Sequence, residues 1–433
     1  MLLNFPSNTN KNIWRDHFNV CNLLGKFYLL YYEQLPRIGY VINGNQNECI
    51  NYFLNKALFS KPLQWIIISN NLVEKIFKYK EGKYEIYHDS LDWDEIKHSE
   101  PIEITKYCAE KIVKKIYDDN KRWLNDPKSR IVIQVIPKIF AGPTALIYEL
   151  VQNAFDANAT KVKVELNKKM LRFYHDGYNF TESDVNSICF INLSNKDKDK
   201  VGFMGIGFKS AFEATEKPEI HSPPFSFLFD NSVEGGFILP QNTKPKQIKN
   251  SYTTLIRVPF KNQNIYELIN RELIPEEQIG KGIGFSRKTF LHLLKENNSK
   301  LSGITDVETS YVKFNITKGE SPYTYKINDI TNKEGDRSEI WLRLEKQFKP
   351  NQMQIVDFLA SRDIKNEELE KVGWEEIISI IIPLTKKDSI YSPDTEYKGI
   401  LNVYLPTEIK TGLNFDIQGN FIVDATRKNI KNI

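Results

Sequence analysis

Apolar and polar positions alternate with period two over residues 161–166, where Val162, Val164 and Leu166 share one side, and a second short strand is read over residues 171–175. Alternation of this kind marks a strand with one buried face. Asn167-Lys168-Lys169 then forms the turn of a hairpin. Just upstream the period changes. Residues 145–156 contain no Gly or Pro, and Ile147, Leu150, Val151, Ala154 and Phe155 surround a polar stripe of Glu149, Asn153 and Asp156. Spacings of i, i+4 and i+7 put those three side chains on one face of a helix, with Pro143-Thr144 at its start. A polar stripe on an otherwise apolar helix is costly unless its groups find partners. It is either a solvated face or a site.

The same reading, carried along the chain, predicts a helix over residues 12–34, with Phe18, Cys21, Leu24, Phe27 and Tyr28 on one face. It predicts a buried strand at 65–69, one or two strands over 75–88, and a helix over 101–124 with Ile104, Cys108, Ile112 and Ile116 in register. Residues 253–260 alternate as a strand. Beyond residue 262 a second unit is expected: a short helix or strand at 290–294, strands at 309–317, 322–329, 339–344, 377–383 and 399–405, and helices at 352–360 and 365–374. The class is α+β. The expected division is an N-terminal mixed α/β region over 1–130, a core over 131–262, and an α/β domain over 263–433.

Composition narrows the possibilities without naming a function. Of 433 residues, 41% are hydrophobic and 26% charged, as in ordinary globular chains. The net charge of +4 is too small to argue for nucleic acid or a membrane surface. No apolar run approaches the ~18 residues of a membrane span, and the N-terminus lacks the pattern of a signal peptide. Cys21, Cys49, Cys108 and Cys189 are scattered, which fits a reducing cytoplasm, and the six histidines show no metal-ligand spacing.

Two further features carry chemistry. Asp176-Gly177 follows a strand, where a carboxylate can accept from a ligand amine and glycine permits close approach. Gly202, Gly205 and Gly207 precede Lys209-Ser210 and a helix start, a place where free amides and the helix dipole favour an anion. The pattern is neither a Walker loop nor a dinucleotide fingerprint.

Taken in order, ExxxNxxDA (Glu149, Asn153, Asp156), then Asp176-Gly177, then GxxGxGxKS resemble the GHKL, or Bergerat-fold, ATPases. That group includes DNA gyrase, the heat-shock-ninety chaperones, sensor histidine kinases, MutL and the MORC proteins. The wording of HDGYNFTESDVNSICFI and GFMGIGFKSAF is most similar to the sacsin and heat-shock-chaperone branch. The resemblance implies a two-layer α/β sandwich that binds ATP with magnesium, followed by a transducer domain. Glu149 then matches the general base, Asn153 the magnesium ligand, and Asp156 a residue supporting the pocket. Asp176 matches the reader of the adenine amino group, with Gly177 beside the base. Gly202, Gly205, Gly207 and Lys209 match the phosphate loop, and residues 192–200 its lid. Thr254 matches a threonine near the adenine, with Thr253 where the family carries glycine. Asn179 stands where the family often has a second glycine. In the family a basic residue of the transducer senses the terminal phosphate. Arg427 is the favoured match, because a planar guanidinium suits developing phosphate charge, and Lys410 is the second.

The implied function is a slow ATPase whose lid closure and dimerisation remodel protein clients. The alternative is a nucleic-acid-directed or host-defence ATPase of the MORC kind, which the absence of a concentrated basic stretch makes the weaker reading. The chain stops six residues after Arg427, which leads us to expect an N-terminal part of something longer.

Overall fold

The computed structural model describes residues 19–24, 26–32, 35–70, 73–87, 92–126, 129, 146–189, 207–279, 285–297, 300–331, 337–348, 376–387, 390–403 and 405–419. They form an α+β structure built on two large sheets and a two-stranded one. The first sheet has six strands in sequence order: Asn19–Leu24, Phe27–Tyr32, Leu35–Ile42, Trp65–Asn70, Val73–Lys80 and Lys83–Tyr87. Neighbours are antiparallel except Leu35–Ile42 and Trp65–Asn70, which run parallel with helix Gln46–Phe53 between them in the chain. The helix expected over 12–34 is therefore corrected. Within the described residues that stretch is an antiparallel hairpin. Phe27–Tyr32 reads FYLLYY and is buried along almost its whole length, so both its faces are covered. A continuous apolar run offers a helix no polar face, and its aromatic residues suit a pleated surface.

Helix Lys106–Leu124 leaves this region and packs on the second sheet. It buries Cys108, Ala109, Ile112, Val113 and Ile116, and its Asn120 amide donates to the Ile238 carbonyl at 2.7 Å. Toward one end of the second sheet lie the strands Glu219–Ser222, Thr254–Pro259, Met170–His175 and Lys161–Asn167, side by side and antiparallel. Ile220, Ile256, Phe173 and Val164 lie opposite one another in register. They form the apolar face that clusters with Leu146, Leu150, Val151 and Ala154 of helix Leu146–Asp156.

The sheet does not end at residue 262. Strand Asp306–Glu308 adds parallel to Lys161–Asn167. It continues the sheet into Lys313–Lys318, Thr324–Asp329, Arg337–Phe348 and Glu376–Lys387. Thr160 anchors this junction: its carbonyl accepts the Thr305 and Asp306 amides at 2.9 and 3.0 Å. One apolar cluster runs from Leu23 to Ile381 and so is shared by all three expected regions. The strand expected from 309 begins at Lys313, because Thr309 to Val312 closes a turn with a 2.7 Å hydrogen bond. The segment 290–294 lies at the end of a 3-10 turn, Arg287–Leu293. The helices expected at 352–360 and 365–374 lie outside the described residues. Among the described residues, no helix is long and apolar enough to cross a membrane.

Candidate functional site

Helix Leu146–Asp156 is sealed on nearly every side. Of its 11 residues, Leu146, Ile147, Tyr148, Leu150, Val151, Gln152, Ala154 and Phe155 are buried. The three that are only half-buried are Glu149, Asn153 and Asp156. The polar stripe thus lies on the least buried side of the helix, and burial of the rest fixes its rotation. The helix stops at Asn158, whose φ of 57° is left-handed, with the Ala159 amide returning to the Ala154 carbonyl at 2.9 Å.

Next to this helix, strand Met170–His175 carries a second polar group inward. Leu171, Phe173 and His175 share one phase of the strand and all are buried. Thr254 lies directly opposite His175 on the neighbouring strand. Ser222 on the strand beyond reaches Thr254, with the two hydroxyls 2.6 Å apart. Ser222 Oγ also accepts the Phe180 amide at 2.9 Å. His175, Thr254 and Ser222 are at most 3% exposed and form a polar row across three strands of an otherwise apolar face. The sequence reading included Thr254 but missed His175 and Ser222. The signal for His175 was available, since it is in phase with Leu171 and Phe173.

Burial pushes the His175 imidazole down, from an ordinary 6.5 to about 4, so the ring is neutral at pH 7. Its Nδ1 accepts the Gly177 amide at 3.2 Å, which places the ring proton on Nε2. The folded-state value lies below the unfolded one, so the unfolded chain takes up this proton first. Stability is therefore complete above about pH 6.5 and is lost as pH falls towards 4. This one group accounts for about 3 kcal/mol across that window. Denaturant midpoints measured at pH 7, 5.5 and 4.5 should fall for the wild type and fall less for His175→Gln. Equal slopes for the two proteins would contradict a buried neutral ring.

Asp176 lies on the opposite phase and is held by the start of the neighbouring strand. Its Oδ1 accepts the Thr160 and Lys161 amides, both at 2.7 Å, and its Oδ2 accepts the Thr160 hydroxyl at 2.6 Å. A carboxylate has about four acceptor positions, so most of its capacity is spent pinning the strand at the Thr160 junction. Gly177 is required by the protein itself. A Cβ there would sit 2.4 Å from the Ala157 carbonyl oxygen, which accepts the Tyr178 amide at 2.7 Å.

Lys209, expected near the phosphate loop, is engaged by carbonyls of the protein itself. Gly207 opens a 3-10 turn, Gly207–Ser210, that leads into the short helix Ala211–Ala214. Lys209 from this turn is 1% exposed. Its ammonium donates to the carbonyls of Ile188 at 2.6 Å, Cys189 at 3.4 Å and Phe237 at 2.7 Å. Ile188 and Cys189 end helix Glu182–Cys189, where carbonyls lack helical donors and a cation is favoured. Three phenylalanine rings, Phe212, Phe229 and Phe237, surround the ammonium within 5.7 Å. Burial pushes its pKa down to about 8, so it remains mostly charged at pH 7. Lys410 is exposed at the end of strand Leu405–Lys410. Gly202, Gly205, residues 192–200 and Arg427 lie outside the described residues.

Comparison with known proteins gives limited company. No family model matches the chain. A stretch of 122 residues is 35% identical to Protein NO VEIN of Arabidopsis thaliana, covering 26% of this chain and 4% of that protein. The chain therefore spans only a small part of that relative's length. Among solved structures, the N-terminal domain of a DNA repair protein aligns over 69% of this chain and 90% of its own. Its TM-score is 0.33 and its sequence identity 10%.

Proposed function

We propose that this chain binds ATP with magnesium against the open face of helix Leu146–Asp156 and hydrolyses it slowly, in a pocket of the Bergerat type. The observation that carries this reading is the helix itself: its only incompletely buried positions are a carboxylate, an amide and a carboxylate, all on one face. Phosphoryl transfer asks little covalent chemistry of a protein; it needs positioned groups, a metal and an oriented water. The residues present fit that need. Glu149 orients and deprotonates the attacking water. Asn153 offers a hard amide oxygen of the kind magnesium accepts. Asp156, one turn further, supports the polar side of the pocket, and Thr254 offers its hydroxyl to the base. Asn153 would hold magnesium, which would supply charge neutralisation for the phosphates. The glycines Gly202, Gly205 and Gly207 supply backbone amides around the phosphates, and Arg427 senses the terminal one. Closure over the nucleotide brings two copies together and drives remodelling of protein clients, which sets a slow turnover.

The test is phosphate release from ATP by the purified chain. Release should be saturable and should stop when magnesium is chelated with EDTA. No release, or release indifferent to chelation, would sink the proposal.

A further inference from the structure

We infer that a cleft lined by Glu276, Arg287, Lys288, Glu339 and Trp341 binds a free α-amino acid with an apolar side chain, as its zwitterion. None of these residues belongs to the nucleotide site proposed above, and the inference stands without that reading. The walls are built locally. Glu276 is pinned beside the 3-10 turn Arg287–Leu293: its amide donates to the Phe285 carbonyl at 3.2 Å, and the Phe285 amide donates to the Ile274 carbonyl at 2.8 Å. Glu339 and Trp341 are two residues apart on strand Arg337–Phe348, so they share a face. Arg287 ties the turn to the sheet, donating to Asp329 Oδ2 and Glu339 Oε1, each at 2.7 Å. The cavity measures about 180 Å³, the share of roughly six waters at about 30 Å³ each. It is open: the Glu276 and Glu339 side chains are 42% and 43% exposed and stand at its mouth. Lys288 and Trp341, 8% and 6% exposed, form its depth.

The unspent chemistry belongs to Lys288. Its ammonium has three hydrogens to give. Among the described residues it makes one hydrogen bond, to the Tyr397 hydroxyl at 2.5 Å. Its nearest carboxylate oxygens, Glu276 Oε1 at 3.7 Å and Asp416 Oδ2 at 3.9 Å, attract it but lie beyond hydrogen-bond reach. Tyr397 in turn donates to Asp416 Oδ1 at 2.9 Å, which holds this end of the cleft in place. Asp416 is fully buried and its Oδ2 accepts no hydrogen bond, so the protein saturates neither charge of this pair. A buried ammonium with unused donors is costly until an acceptor arrives, and a ligand carboxylate supplies one. Charge at the mouth sets the rest. A simple carboxylate would have to pass Glu276 and Glu339, and a simple amine would meet Arg287 and Lys288. A zwitterion suits both pairs, with its carboxylate on Lys288 and its ammonium between the two glutamates. Glu339 accepts from Arg287 and, at 3.3 Å, from Trp341 Nε1, which uses two of about four acceptor positions. The ligand's apolar side chain then lies against the Trp341 indole, which is held edge-on to the Tyr397 ring at 5.7 Å.

The test is calorimetric titration of the nucleotide-free wild-type chain with L-leucine, L-methionine and L-phenylalanine. At least one should bind saturably, with a Kd below about 10 mM. Its N-acetyl derivative, which lacks the ammonium, and its amide, which lacks the carboxylate, should each bind at least about tenfold more weakly, the effect of one lost charge-assisted hydrogen bond. Glu276→Gln, at an exposed side chain, should weaken binding about threefold or more and leave the urea midpoint unchanged. Lys288→Met should abolish binding. The inference is overturned if none of the three amino acids binds up to about 10 mM. It is equally overturned if either derivative binds within tenfold of the amino acid, or if either variant, folded, binds like the wild type. Because the analogue series runs on the wild type, a Lys288 variant that fails to fold leaves the test intact. If an amino acid binds and ATP does not, the nucleotide reading falls and this inference stands.

Discussion

Glu149→Gln is expected to bind ATP with magnesium within about threefold of wild type and to release phosphate at least 100-fold more slowly, the lower range for losing a general base. The reasoning is geometric as well as chemical. Glutamine keeps the length and planarity of the side chain, and the buried flanks of helix Leu146–Asp156 hold the backbone in place. Only the capacity to take a proton from water is lost. Single-turnover and steady-state phosphate release, alongside a binding titration, separate the two effects. Turnover within tenfold of wild type would show that another group activates the water.

The second large effect concerns stability. Lys209→Met should destabilise the folded chain by about 3 kcal/mol or more, because it strips a charged donor from three buried carbonyls. Methionine approximates the aliphatic stem and packs among Phe212, Phe229 and Phe237, so lost volume contributes little. What remains is the end of helix Glu182–Cys189 with two carbonyls unpaired, and the Phe237 carbonyl with them. Urea denaturation of wild type and variant reads the difference directly. A change below about 1 kcal/mol, the scale of an ordinary surface substitution, would mean that the ammonium does not bind these carbonyls in solution.

What the sequence revealed was local, and what it hid was long-range. The helix with its polar stripe was legible because three polar residues at 3.6-residue spacing stand out from an apolar surround, and the burial of the other eight positions bears out that pattern. The hairpin of Lys161–Asn167 and Met170–His175 was legible from its alternation. Residues 27–32 were not, because an unbroken apolar run has no period from which to choose helix or strand. Lys209 looked like a phosphate ligand because it follows glycines; only the fold shows three carbonyls waiting for it. Asp176 was legible as a carboxylate at a strand end, while its partner Thr160, at the start of the paired strand, was not. The parallel pairing of Asp306–Glu308 with Lys161–Asn167 joins segments far apart in the chain, and no local periodicity encodes such a register.

The central claim rests on Glu149, Asn153 and Asp156, and one measurement addresses it before any variant is made. Calorimetric titration of the wild-type chain with ATP, with and without magnesium, should give saturable binding at one site per chain that weakens sharply when magnesium is withheld. Absence of saturable heat up to millimolar ATP, in a chain shown by circular dichroism to be folded, would contradict the account, and the polar stripe would then be a solvated helix face.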